Sequence, residues 1–137
     1  MLNKKLYWGT ASVIAFMGIS ALSAGYSLIN DPTGADIGLN HELLKNTPFS
    51  DFSIPGQIIT YWFGIGGLAS LSFSFKRFKT FTQTVFAFAA TITIWILAQT
   101  FLTKQFSLTM AVFLLVGLLL FYLGNRIMTQ LKVLKQW

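Results

Sequence analysis

Four long runs of apolar residues, separated by short polar stretches, dominate the pattern along the chain. They cover residues 9–29, 56–75, 82–102 and 106–125, and none of them contains a charged residue. Each run has about 20 residues, the length that an α-helix needs to cross about 30 Å of hydrocarbon. The runs lack both the polar face of a surface helix and the alternation of a barrel strand. The pattern therefore predicts an all-α integral membrane four-helix bundle.

The composition agrees with an apolar environment. Of the 137 residues, 54% are hydrophobic and only 10% are charged, whereas an ordinary soluble domain is about 25% charged. So few charges cannot cover a surface that faces water. Cysteine is absent, which excludes disulfides and thiolate chemistry.

The charged residues are sorted by sign between the two sides of the predicted membrane. All four acidic residues lie in the loop 30–55, whereas eight of the ten basic residues lie before the first run, between the second and third, or after the fourth. By the positive-inside rule, both termini are cytoplasmic and the loop 30–55 is extracytoplasmic. We interpret the basic residues as contacts to lipid headgroups and not to nucleic acid. They are Lys4, Lys5, Lys76, Arg77, Lys79, Arg126, Lys132 and Lys135.

A cleaved signal peptide is the alternative interpretation of the first run. Lys4 and Lys5 would form its basic region, and residues 21–23 resemble a small-residue cleavage site. The run is long for a signal peptide, and its removal would leave three spans. We favour an uncleaved first helix.

Glycines in the first two runs predict close helix packing. Gly18 and Gly25 lie in the first run and Gly64, Gly66 and Gly67 in the second. Small residues let helix backbones approach in lipid, so the first two helices are expected to touch. The contact could equally be a seam between two copies of the chain, or the glycines could open a groove for a lipid tail or another ligand.

The predicted spans contain no Asp, Glu, Lys, Arg or His, so the sequence does not favour an ion path or a proton relay. The hydroxyls of Thr91, Thr93 and Thr100 are expected to bond back to their own helix. Tyr7 is expected to anchor the chain at the membrane interface. Apolar residues at helical spacing after Asn125 predict that the fourth helix continues as an interfacial tail, 126–137, lying partly along the membrane and ending in Trp137.

The loop 30–55 holds most of the candidate site residues. Residues 31–34, Asp-Pro-Thr-Gly, are a turn signature, and Asn40 is expected to begin a short helix. The loop also contains many apolar residues, including Phe49 and Phe52, so we expect it to fold back as a lid on the ends of the helices. The candidate ligand or proton-transfer groups are Asp31, Asp36, His41, Glu42 and Asp51.

We favour a structural role for these polar loop residues. The spacing of the lone histidine and the carboxylates matches neither a zinc motif nor an EF-hand, and no nucleophile, base and orienting group can be identified. We therefore expect no bound metal and no cofactor.

The run DPTGADIGL, followed by PFSDFSIPG and YWFGIGG, resembles small bacterial four-transmembrane-helix membrane proteins of uncharacterised activity. The resemblance covers roughly residues 18–70. It implies a bacterial plasma membrane location and the four-span layout, and it implies no activity.

The leading hypothesis is a non-enzymatic membrane protein that binds another membrane protein, a copy of itself, or lipid. One alternative is a carrier for a hydrophobic small molecule held between the first two helices. A further alternative is an enzyme that uses His41 and the loop carboxylates.

Overall fold

The computed structural model describes residues 3–135, and this range is all-helical, as predicted. Helix α1 is Lys4–Asn30, α3 is Phe78–Thr103 and α4 is Leu108–Val133. Helix α2 covers residues 53–74 in three consecutive sections: an α-helical Ser53–Ile58, a π-helical Ile59–Gly66 and an α-helical Gly67–Ser74. The helices α1, α3 and α4 are each long and apolar enough to cross a membrane.

The helices form two antiparallel pairs, α1 with α2 and α3 with α4. The start of α1 lies beside the last part of α4, where the backbone N–H of Asn3 donates to Oε1 of Gln130 at 2.9 Å. Phe75, which follows α2, contacts Tyr7 near the start of α1. We call this end of the molecule, which holds the start of α1, the α2–α3 turn and the end of α4, the basic end. It carries all eight basic residues named above.

The core is built from apolar residues of all four helices. Several are completely buried: Ile14 of α1, Phe81 and Val85 of α3, and Leu120, Ile127 and Leu131 of α4. Phe63 and Leu71 are the buried contributions from α2. Within residues 3–135, ten serine and threonine hydroxyls in the helices bond back to the carbonyl four residues earlier. They include those of Thr91, Thr93 and Thr100, as predicted.

Tyr7 joins three helices at the basic end. Its ring lies 4.3 Å from that of Phe81 and 5.5 Å from that of Phe78, and its hydroxyl donates to the carbonyl of Phe75. The sequence predicted an interfacial anchor at this position, but the side chain is only 5% exposed. Tyrosine can be buried here because the carbonyl at the end of α2 supplies the partner that its hydroxyl needs.

Helix α4 continues beyond Asn125, as predicted, but the structure differs from the predicted interfacial tail at Ile127 and Leu131. Both side chains are 0% exposed and belong to the main core. These residues therefore remain in the bundle and do not lie along its surface. The last two residues of the predicted tail, which include Trp137, lie outside the described range.

Small residues let α1 and α2 approach closely. A Cβ atom added at Gly25 would lie 2.8 Å from the carbonyl oxygen of Gly56 and would clash with Oγ1 of Thr60. At Gly64 an added Cβ would lie 2.6 Å from Cδ2 of Leu22. Gly56, Thr60 and Gly64 are four residues apart, the spacing of small residues in closely packed membrane helices. We call these contacts the glycine seam.

Gly66, which the sequence analysis also named, is not part of the glycine seam. A Cβ added at Gly66 would meet the carbonyl oxygen of Tyr61 in its own helix, at 3.2 Å. Gly67 faces α3, where an added Cβ would lie 2.6 Å from Cε2 of Phe88. Gly18 does face α2, where an added Cβ would lie 2.8 Å from Cγ of Leu68.

The glycine seam predicts that two alanine substitutions in α1 have different effects on the stability of the protein. Gly25→Ala should destabilise the protein by about 1–3 kcal/mol, because the added methyl group overpacks a tight contact. Gly9→Ala is the matched control: a Cβ at Gly9 meets nothing within 4 Å. That substitution should leave stability unchanged or raise it by up to about 1 kcal/mol through helix propensity. Thermal unfolding in mild detergent measures both, and equal effects of the two variants would contradict the seam.

Candidate functional site

The loop between α1 and α2, residues 31–52, is a folded unit that we call the capping loop. Two 3-10 turns, Ala35–Ile37 and His41–Leu44, shape it. The backbone N–H of Phe52 donates to the carbonyl oxygen of Pro32 at 2.9 Å, which ties the end of the loop to its beginning. The capping loop therefore closes on itself before α2 starts.

A small apolar cluster holds the capping loop on the α1–α2 pair. Phe52 is 6% exposed and Leu44 is 7% exposed, and both pack with Leu28 near the end of α1. Further partly buried members surround them: Leu39, Leu43, Phe49 and Ile59. The cluster includes residues of α1, the loop and α2, so the predicted folding back of the loop onto the helix ends is observed for that pair.

Gly34 allows the loop to turn tightly over Phe52. Its φ of 76° is in the left-handed region, which costs other residues energy. A Cβ at Gly34 would also lie 2.8 Å from Cβ of Leu39 and 2.9 Å from Cδ2 of Phe52. Both conformation and space require glycine at the fourth position of the predicted Asp-Pro-Thr-Gly turn.

Asp31 organises the first half of the capping loop. One carboxylate oxygen accepts from the hydroxyl of Thr33 at 2.6 Å and from the backbone N–H of Thr33 at 3.2 Å. The other accepts from the backbone N–H of Asp36 at 3.0 Å. These donors, above all the Thr33 hydroxyl, hold the pKa of Asp31 below the usual range of an aspartate. The carboxylate therefore serves the fold of the loop.

Asp51 has the same role where the loop leads into α2. Its carboxylate accepts from the hydroxyl of Ser53 and, at 2.9 Å, from the backbone N–H of Ser53, the first residue of that helix. The Ser53 hydroxyl, then its N–H, and then electrostatic attraction by His41 lower the pKa of Asp51. His41 therefore lies near enough to Asp51 to act on its carboxylate electrostatically.

The remaining candidate residues do not converge with this pair. Asp36 and Glu42 are exposed, and their carboxylates accept no hydrogen bond within residues 3–135. The described part of the chain holds no group of three or more His, Asp or Glu side chains placed to bind a metal ion. The loop arranges hydrogen-bond acceptors for its own backbone, without assembling a nucleophile, a base and an orienting group.

A second feature lies at the basic end, where α2 turns into α3. An open groove of about 880 Å³ lies against this turn. Lys76 and Arg77 are on its rim with the hydroxyl residues Ser72 and Thr80, and the rest of the lining is apolar: Leu71, Phe73 and Phe75. The other basic residues predicted to contact headgroups are exposed at the same end: Lys4, Lys5, Lys79, Arg126, Lys132 and Lys135.

Sequence reasoning missed two parts of these sites. Gly56 and Thr60 belong to the glycine seam, and their spacing with Gly64 was the available signal. The hydrogen bond between Phe52 and Pro32 had no such signal, because it joins residues that lie far apart in the loop.

No protein-family model matches the chain, and no curated protein or solved structure is significantly similar to it. The resemblance of the loop motif to bacterial four-helix membrane proteins stays a prediction.

The lowered pKa values predict acid-sensitive stability of the capping loop. An aspartate whose pKa is lower in the folded than in the unfolded chain stabilises the fold at neutral pH, and this contribution is lost as the pH falls towards the folded pKa. Thermal unfolding in mild detergent should therefore show a constant Tm from pH 7 to about 5 and a fall below about pH 4.

Asp31→Asn should lower the Tm at pH 7 and flatten this acid-induced fall, since an amide nitrogen cannot accept from the N–H of Asp36. Asp36→Asn is the matched control, because its own carboxylate accepts no hydrogen bond in the described range. An Asp31→Asn profile parallel to that of the wild type at every pH would contradict the role of Asp31.

Proposed function

We propose that this chain is an integral protein of the bacterial plasma membrane that crosses the bilayer with all four helices. The observation that carries the proposal is the outer surface of the bundle, where many large apolar side chains are exposed. Phe73 is 85% exposed, Leu108 83% and Phe101 82%. In water such a surface would cost about 25 cal/mol for each Å², whereas lipid solvates it without penalty. A continuous apolar exterior of this kind is typical of helices that face hydrocarbon.

The length and composition of α2 support a fourth span. Its α, π and α sections follow one another without a break, and residues 53–74 include no charged side chain. At about 1.5 Å per residue this stretch reaches across about 30 Å of hydrocarbon. π turns are tolerated in such helices because their backbone groups still bond within the helix.

The charge distribution supports an orientation with both termini in the cytoplasm. Eight basic residues are at the basic end, and all four acidic residues are in the capping loop. The positive-inside rule then assigns the basic end to the cytoplasm and the capping loop to the other side.

We further propose that the protein is a non-enzymatic interaction module, with the capping loop as the surface that binds another membrane protein or a second copy of this chain. Ile37 is 40% exposed there, next to the exposed carboxylate of Asp36 and near that of Glu42. None of these three side chains takes part in the hydrogen bonds or the apolar cluster that hold the loop, so they remain available to a partner. The engagement of Asp31 and Asp51 within the loop supports this function over an enzymatic one.

A carrier function has less support from the packing. The space in front of Gly64 is filled by Leu22, and the space in front of Gly67 is filled by Phe88. These glycines therefore bring helices together where a hydrophobic ligand would have needed a groove.

The orientation can be tested by cysteine labelling, because the natural chain contains no cysteine. In intact cells or sealed right-side-out vesicles, a membrane-impermeant maleimide should label Asp36→Cys without permeabilisation and Lys76→Cys only after it. Both sites are exposed, so accessibility of the folded protein is matched. Labelling of both from the same side would overturn the orientation, and recovery of the wild-type chain in a detergent-free soluble fraction would overturn membrane insertion.

The interaction function can be tested by photocrosslinking in intact cells. A photoreactive phenylalanine analogue at Ile37 should give an adduct of one discrete mass, twice the monomer mass for a second copy or another fixed value for a different membrane protein. The same analogue at Phe16 is the control, since this aromatic side chain is 70% exposed near the middle of α1, away from the capping loop, and should face lipid. The absence of a discrete adduct at both Ile37 and Ile54, another exposed residue beside the loop, would contradict the proposal.

A further inference from the structure

The groove at the α2–α3 turn combines a cationic rim with an apolar wall. Lys76 and Arg77 are exposed on the rim, while Phe73 and Phe75 line the part next to the end of α2. The hydroxyl of Ser72 already donates to the carbonyl of Leu68 at 2.9 Å. Towards a ligand it can therefore act only as a hydrogen-bond acceptor. The side chains that remain to bind a polar group in the groove are therefore predominantly cationic.

The occupant must match both parts of the groove. A phosphate ester fits Arg77, whose planar guanidinium forms paired hydrogen bonds to phosphate oxygens, and Lys76 adds a second positive charge. The groove also includes the first turn of α3 through Thr80, where the helix dipole favours an anion. The apolar wall offers no charge or hydrogen bond to an inorganic ion, whereas an acyl chain can pack against it.

Size and position lead to the same ligand class. A volume of about 880 Å³ far exceeds that of a phosphate ion and accommodates a headgroup with part of its acyl chains. Phe73 is 85% exposed on the helix surface just before the turn, where a lipid chain would lie beside it. In the proposed orientation the groove opens into the cytoplasmic leaflet, in which anionic lipids meet basic residues of membrane proteins.

We propose that this groove is a binding site for an anionic phospholipid of the cytoplasmic leaflet, with its phosphate between Lys76 and Arg77 and an acyl chain along Phe73. The inference rests on the proposed membrane orientation and adds a specific ligand class and site to it. The diffuse attraction of the other basic residues to the membrane surface does not need this groove. Variants can therefore distinguish that attraction from binding of a lipid in the groove.

The test uses the full chain purified in a mild non-ionic detergent, so that loss of charge cannot alter membrane insertion during the measurement. Native mass spectrometry with added phosphatidylglycerol or phosphatidylcholine reports how much of each lipid is retained. The wild type should retain phosphatidylglycerol at least about tenfold more strongly. The double variant Lys76→Gln/Arg77→Gln should lose about tenfold or more of this affinity, since each cation near a lipid phosphate contributes on the order of fivefold.

The matched control is Lys132→Gln/Lys135→Gln, which removes the same charge from exposed positions in and after the last turn of α4. It should retain phosphatidylglycerol within about twofold of the wild type. An equal loss in the two double variants would overturn the site in favour of diffuse attraction. Equal retention of both lipids by the wild type would overturn headgroup recognition.

Two further measurements separate the lipid from other sources of phosphate. Phe73→Ala, at an exposed position whose replacement leaves the core intact, should weaken phosphatidylglycerol binding severalfold. Inorganic phosphate at an equal concentration should not displace the lipid; if it does, the site binds free phosphate and the lipid assignment is wrong. Cysteine labelling, as described above, checks the membrane orientation independently, so a failed orientation and a failed lipid site give different results.

Discussion

The need to satisfy every polar group within the chain constrains this structure more than any other requirement. The hydroxyls of Thr82, Thr93 and Thr100 donate to carbonyls of their own helix, and within residues 3–135 no buried side-chain nitrogen or oxygen is without a partner. The Tyr7 hydroxyl reaches the carbonyl of Phe75 for the same reason. A chain whose helices are apolar inside and outside has no other source of hydrogen bonds, and a hydrocarbon environment imposes the same condition.

Two of the helix contacts in the bundle differ in the residues that fill them. Between α1 and α2, glycine and threonine remove side-chain bulk, so that backbones approach until an added methyl group would clash. Between α2 and α3, aromatic rings fill a wider gap: Phe63 lies 6.2 Å from Phe88 and 5.8 Å from Trp95, measured between ring centroids. The α1–α2 contact is therefore the closer of these two, and the same helix pair carries the capping loop.

The lengths of the apolar runs were enough to predict four helices, because crossing hydrocarbon fixes both length and polarity. They did not give the helix ends: α3 begins at Phe78 and α4 continues to Val133, since a helix can extend through residues too polar to lie in lipid. The Asp-Pro-Thr-Gly turn was predictable from local chemistry. The partners of Gly25 and Phe52 were not, because each depends on a residue distant in sequence and on how one element is positioned against another.

The hydrogen bonds of the capping loop decide which of its residues remain able to act on a partner. Asp31 and Asp51 each accept hydrogen bonds from their own loop and its neighbouring helix, and withdrawing them would unfold the turns that they hold. The Phe52 side chain is also unavailable to a partner, because it packs against Leu28 in the small apolar cluster. Asp36, Ile37 and Glu42 are among the exposed side chains that the fold of the loop does not use. The carboxylates of Asp31 and Asp51 therefore hold the backbone of the loop, while those of Asp36 and Glu42 stay exposed at its surface.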